Sequence, residues 1–284
     1  RSAPERCVSR RNMELRGGAN REQAFAVASS GAACAADAAE DLVASGGAAR
    51  GAEEVLALRL CALTGEFYRA NAESFSQTRQ SPWQGWVRLL EVVGLAAKQK
   101  PLRVLDLACG NLRFERYLAD ALPNRMLSGY AVDNCDPLVE AGERNESDAL
   151  SRMSFQNLDA IERLFAGCLR EALEAPDASC DLAVSFGFMH HVPLECWRAE
   201  LLRALIAKVR PGGFVPLSSW RFLNSDKLER KAKETTSRAR AELGIPELPP
   251  NDYLLGWQDT QGLYRYCHHF DEPEIEWLLA AVAD

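Results

Sequence analysis

The feature that most constrains this chain is a regular recurrence of polar residues at the ends of short apolar runs. Asp106, Asp133, Asp159 and Ser185 close four such runs, at gaps of 27, 26 and 26 residues. That pitch is about one strand plus one helix, so the strand ends emerge together on one edge of a parallel sheet, the edge where such sheets bind ligands. The runs read as buried strands over Leu102–Gly110, Leu127–Asn134, Met153–Asp159 and Cys180–Phe188, with a fifth at Gly212–Trp220. Helical patterns lie between them. In Glu195–Val209, for example, Trp197, Leu201, Leu202, Leu205 and Val209 share one face. The expected fold is α/β, a doubly wound and mostly parallel sheet with an N-terminal helical extension.

The 284 residues divide on this reading into an extension over 1–63 and a catalytic domain over 64–284. Residues 1–20 are polar and read as poorly ordered. Residues 21–63 are alanine-rich and read as two helices broken near Ser45–Gly51. No stretch reaches the roughly 18 apolar residues of a membrane span, so no membrane partner is expected. Nine cysteines, an odd number without CxxC spacing, argue against a disulfide framework or a cysteine metal site. They read as small buried hydrophobes in a reducing compartment. With no secretory apolar run near Arg1, the expected location is cytoplasmic. The net charge of −7 argues against a globally basic nucleic-acid binder. One segment opposes that average. Arg221–Arg240 has seven basic residues and three acidic ones and reads as a helix able to meet phosphates.

The first strand runs into a turn of small residues, Ala108-Cys109-Gly110, which lets backbone approach a ligand. Asp133, at the second strand end, has the oxygens to accept from two ribose hydroxyls, and Asp159 can accept from an amino group. A nucleoside accounts for that set. A dinucleotide site would want G-x-G-x-x-G, and this turn has only Gly110.

On the Asp106–Gly110 turn, Asp133, Asp159 and the Pro211-Gly212-Gly213 turn, the chain resembles the class I S-adenosylmethionine-dependent methyltransferases. Ala108 and Leu112 stand where that family usually has glycine. Three further motifs narrow the resemblance: Phe75-Ser76-x-Thr78-Arg79-x-x-Pro82-Trp83, the pair His190-His191, and Arg265-Tyr266-x-His268-x-Phe270. Together they resemble the tRNA wobble-uridine methyltransferases that esterify a 5-carboxymethyl group, and their bacterial relatives.

The resemblance implies S-adenosyl-L-methionine as cofactor. It assigns Arg79, Trp83, Asp106, Ala108, Cys109, Gly110, Asn111, Asp133, Asn134, Leu158, Asp159, Ser185 and Phe186 to cofactor binding. It assigns Arg265, His190, His191, Tyr266 and His268 to the catalytic site, with no metal. A carboxylate is already ionised near neutral pH and needs a cation to hold it rather than a base. Arg265 is expected to hold the substrate and Arg79 the cofactor carboxylate. Tyr68, Trp83, Trp220 and Trp257 are candidates to stack a base. Two alternatives stay open: a small-molecule O- or N-methyltransferase using His190 or His191 as base, and a non-catalytic cofactor-binding protein. The acceptor is then a small molecule or a tRNA. The family fold closes with an antiparallel strand pair after its last helix. No such pair follows helix Glu272–Val282 here, and without it the fifth strand would be an exposed edge, so the expectation is either a fragment or an edge covered by the N-terminal segment or another copy.

Overall fold

The computed structural model describes residues 51–95, 100–143, 150–258 and 260–283; the reading of residues 1–50 lies outside them. The chain divides into two compact units. The sheet unit comprises 68–188 and 200–218, and the hairpin unit comprises the described residues of 1–67, 189–199 and 219–284. One helix, α1 (Ala52–Gln77), begins in the hairpin unit, passes the expected boundary at residue 63 and ends in the Phe75–Trp83 motif.

The sheet unit carries five parallel strands, β1 (Leu102–Leu107), β2 (Leu127–Asp133), β3 (Met153–Asn157), β4 (Cys180–Val184) and β5 (Val209–Phe214). Their order is β3-β2-β1-β4-β5. The helices are α2 (Gln84–Val93), α3 (Arg113–Ala121), α4 (Asp136–Glu143), α5 (Ala160–Phe165) and α6 (Leu169–Ala172). Helix α7 (Glu195–Lys208) leads into β5. β1 is buried at five of six positions, as a central strand between two neighbours must be. Leu102, Val104, Leu182 and Val184 pack with Trp86, Leu90, Phe114 and Leu118 of α2 and α3 in one core. The four strand-end residues fall where the pitch places them.

The fifth strand is a correction. It starts at Val209, not after the Pro-Gly-Gly turn, and that tripeptide lies inside it. β4 and β5 pair at Cys180↔Val209 and again at Leu182↔Phe214, so β5 bulges between those points. Gly212 has φ 77°. A Cβ on Gly213 would meet the Arg210 and Asp181 carbonyl oxygens at 2.9 and 3.0 Å, so glycine is required there. Sheet pairing resumes at one bridge, Ser185↔Leu217.

In the hairpin unit, α8 (Asp226–Leu243) covers the basic segment, and an antiparallel pair follows, β6 (Asp252–Leu255) and β7 (Arg265–His268). The last helix is α9 (Glu272–Ala280). This strand pair lies ahead of the last helix and forms a separate two-stranded sheet, so among the described residues β5 is an edge of the parallel sheet. The inner face of α8 buries Ala239 and Leu243 with Leu254 and Tyr266 of the hairpin and Leu60 and Leu63 of α1. Cys61, Cys109, Cys135, Cys168, Cys180 and Cys267 are outside any disulfide. Cys196 is disulfide-bonded, against the expectation of a chain without bridges.

Candidate functional site: a cofactor turn and an arginine cage

In the sheet unit the chain leaves β1 through three residues with positive φ, Ala108 at 65°, Gly110 at 57° and Leu112 at 56°. The left-handed path that glycine makes easy is thus kept with alanine and leucine, at a cost of about 1–3 kcal/mol each. Hydrogen bonds hold it there. The Ala108 and Cys109 N–H groups donate to the Val132 carbonyl at 2.7 and 3.1 Å. The Asp133 carboxylate accepts from Gly110 N at 2.8 Å and Cys135 N at 2.9 Å. Asn111 donates to Ser76 Oγ at 3.0 Å and to the Arg79 carbonyl at 3.2 Å, which ties the Phe75–Trp83 motif to the turn. Arg116 holds the Asn111 and Gly142 carbonyls at 2.7 and 3.1 Å. α4 comes so close here that a Cβ on Gly142 would lie 2.3 Å from the Asn111 oxygen.

Each expected cofactor residue has a definite place. Asp133 and Asn134 are half-buried at the end of β2, and Leu158 donates its N–H to the Asp133 carbonyl at 3.1 Å. Burial raises the Asp133 carboxyl against the N–H groups of Cys135, Gly110 and Asn134 that stabilise its charge. Asp159 caps α5 through Ile161 N and Glu162 N at 2.9 and 3.1 Å and accepts from Asn134 at 2.6 Å. Trp83 stacks on Trp86 at 5.3 Å and meets Phe186 edge-on at 6.2 Å. Arg79 is half-buried, over the Phe75 ring at 4.3 Å.

Two expected contacts are revised. The Ser185 hydroxyl is fully buried and donates to the Leu107 carbonyl at 2.9 Å, so it braces β4 against β1. Asp106 is sealed against Glu115, and both are buried. Burial raises both carboxyls, Asp106 well above the ordinary range, with Glu115 raising it further. Neither Glu115 oxygen nor Asp106 Oδ1 has a hydrogen-bond partner among the described residues. Burial of the pair disfavours two negative charges beneath the turn. Glu115 has no signature in the sequence because it reads as an ordinary first-turn helix charge.

In the hairpin unit Arg265 is buried, and three rings surround its guanidinium carbon. Phe67 lies 5.1 Å away, Trp220 5.5 Å and Trp257 6.0 Å. His190 and His191 stand with ring centroids 4.2 Å apart, and His190 meets Trp220 edge-on at 5.2 Å. The Tyr266 carbonyl lies 2.5 Å from His191 Nδ1 and can only accept, so that nitrogen carries the proton. Burial, then Arg265, pushes His191 down to about 3. Burial, His191, Arg265 and His268 push His190 well below the ordinary histidine range. Both rings are neutral near pH 7. His190, His191 and Cys267 bring ligand atoms within 4.8 Å of one another. Burial holds the Cys267 thiol at about 12 and a guanidinium stands close by, and both facts oppose a cation there.

Tyr266 and His268, expected in catalysis, are corrected to a supporting role. Strand alternation sends them to the face of β7 opposite Arg265. His268 Nδ1 donates to Asp252 at 2.5 Å and Nε2 to Glu274 at 2.6 Å. Tyr266 donates its hydroxyl to Asp252 at 2.6 Å, and Arg198 pairs with Glu274 at 2.9 Å. Burial and Arg198 oppose the His268 charge. Glu274 and the bonds to Asp252 and Glu274 outweigh them and raise its pKa. Asp252, Glu274, Arg198 and Phe67 carry no motif, and the sequence alone does not single them out.

A methyltransferase domain model matches residues 77–282. The chain belongs to that family. It is an S-adenosylmethionine-dependent methyltransferase. The tRNA (carboxymethyluridine(34)-5-O)-methyltransferase ALKBH8 of Mus musculus is 28% identical over 157 residues, which is 55% of this chain and 19% of that protein. A protein of Encephalitozoon cuniculi named as a methyltransferase is 26% identical over 218 residues, 77% of this chain and 83% of that one. A methyltransferase structure from Methanosarcina mazei shares the fold at TM-score 0.50 and 17% identity, covering 67% of this chain and 82% of that one. The turn suits the family's cofactor. Its backbone is already left-handed, its side chains are small at 108 to 110, and the half-buried Asp133 carboxylate has further acceptor capacity for a ribose hydroxyl.

Proposed function

We propose that this methyltransferase esterifies a carboxylate held by Arg265, and that the carboxylate is a carboxymethyl group on a uridine of tRNA. The observation that carries the carboxylate is the pairing of a buried guanidinium with two neutral histidines. A hydroxyl or amine acceptor has to lose a proton, and a ring held near 3 is a feeble base at pH 7. A carboxylate loses none. Its oxygen lone pair forms the C–O bond as the C–S bond breaks, and no proton moves. Bound at the turn, S-adenosylmethionine supplies a methyl on a sulfonium. Arg265 orients the acceptor, and orientation is the main requirement of an in-line displacement. His190 Nδ1, without a partner among the described residues, is free to fix the acceptor's second polar group. The neutral ester then loses its charge-assisted contact with Arg265, which favours its release. The tRNA part is supported by the partial likeness to the mouse protein and by the basic segment on α8.

Labelled cofactor and bulk tRNA test this reading. The label should enter tRNA and leave as methanol in mild base, as an ester does. Arg265→Ala should cut transfer by about a thousandfold while S-adenosylhomocysteine affinity stays within about twofold. A methyl that resists base overturns the carboxylate. Label in a metabolite extract but not in tRNA overturns the uridine.

A further inference from the structure

Helix α8 divides its surface sharply. Ala232, Thr235, Thr236, Ala239 and Leu243 are buried on one side. Lys227, Arg230, Lys231, Glu234 and Arg238 are exposed on the other. With Thr235, those exposed residues line a recess of about 470 Å³. Lys227 to Arg238 spans eleven residues, or about 16 Å of helix. Four cations face one carboxylate there, in a chain whose net charge is −7. The acidic partner of Lys233 lies on another line of the helix, Glu229 at 2.9 Å, so that pair takes no cation from the recess. Only Arg230 among the four meets Glu234, at a loose 4.0 Å with both side chains about 70% exposed. Lys227 and Lys231 stand on the same side and form no ion pair with a carboxylate among the described residues.

We infer that this face of α8 is a phosphate-binding surface that takes the backbone of an RNA and anchors it on the unit that carries Arg265. The placement supports this in two ways. The buried side of α8 packs on β6 and β7, so the cations are fixed to the same unit as the arginine cage. A line of cations about 16 Å long meets several phosphates, since one strand presents a charge about every 3.4 Å along its axis. The choice of RNA rests on the tRNA reading above, whereas the phosphate surface rests on α8 alone.

Binding of the full chain to unfractionated tRNA, measured without turnover across a salt series, tests it. Four contacts predict a slope of log K against log salt of about −3. The double variant Lys227→Gln, Lys231→Gln should weaken tRNA binding on the order of tenfold and reduce that slope by about 1.4. Arg230→Gln should reduce it by about 0.7. Arg88→Gln, on α2, should change neither, and S-adenosylhomocysteine affinity should hold in every variant. No binding of tRNA, or binding that ignores the α8 variants, overturns the inference. So does polyglutamate binding through the same residues more tightly than tRNA, which would make this an acidic-protein surface. tRNA held through α8 but never methylated overturns the proposed substrate and leaves the surface standing. tRNA methylated at unchanged affinity by the double variant does the reverse.

Discussion

The two units bury charge in opposite ways. In the hairpin unit two cations, Arg198 and His268, interlock with two carboxylates, Asp252 and Glu274, at 2.5 to 2.9 Å. In the sheet unit Asp106 and Glu115 lie against each other, and three of their oxygens accept no hydrogen bond from any cation. The first arrangement cancels its own charge and holds a strand in place. The second holds both carboxyls above their ordinary range underneath the cofactor turn. Buried ionisable residues therefore mean scaffold in one unit and a sensitive support in the other, and the difference lies in whether the charges balance.

The strongest way to break that contrast is to unbalance the first cluster. Glu274→Ala leaves Arg198 and His268 buried without one of their two anions and should cost about 3–5 kcal/mol in urea unfolding. A loss under about 1 kcal/mol would mean the network does not carry the hairpin. Gly142→Ala forces a methyl toward the Asn111 carbonyl and should cost about 1–3 kcal/mol. Calorimetry should show weaker S-adenosylhomocysteine binding in that variant; unchanged affinity would separate Asn111 from the cofactor.

Apart from His268, whose raised pKa keeps its contribution complete at acid pH, the shifted histidines of the hairpin unit and the carboxyls of the sheet unit respond to acidity with opposite sign. His191 and His269 are held down, to about 3 and about 4, chiefly by burial. Their contribution is complete above the ordinary histidine pKa of 6.5 and is lost as pH falls toward those values. Asp106 and Glu115 are held up, so their contribution is complete below the ordinary carboxylate range and is lost as pH rises through their raised values. Each tenfold change in proton affinity is worth roughly 1.4 kcal/mol. Between pH 6.5 and 4.5, protection from hydrogen exchange, taken relative to the intrinsic rate and read peptide by peptide, should fall in the hairpin unit and not in the sheet unit. Asp106→Asn should flatten the loss of sheet-unit protection at alkaline pH by about 1 kcal/mol; equal loss in both proteins would mean that the raised Asp106 carboxyl is not its source. Arg88→Ala removes a fully solvated pair with Glu91 and should change the unfolding energy by less than about 0.5 kcal/mol.

Much of the sheet was legible because a pitch of 26 to 27 residues matches one strand, one helix and their two connections, and little else repeats at that length. β5 was misplaced because Pro-Gly-Gly reads as a turn, and only the neighbouring strand shows it to be a bulge. The turn after β1 was legible from its small residues. Its left-handed path through Leu112 was not, since no local preference favours it. The Arg265–His268 motif shows what a motif omits. It names four residues in a row, and the pleat sends Arg265 to one face and Tyr266 and His268 to the other. The partners that decide their roles, Asp252 and Glu274, stand 16 and 6 residues from His268 and have no signature of their own.

The bulge in β5 has one more consequence. Among the described residues β5 borders a single strand, β4, so its other side is a ready template for a second chain. Pro211 offers no N–H to such a visitor, and the break in register leaves no straight row of partners. Three residues that look like a turn thus make this edge a poor template for another strand.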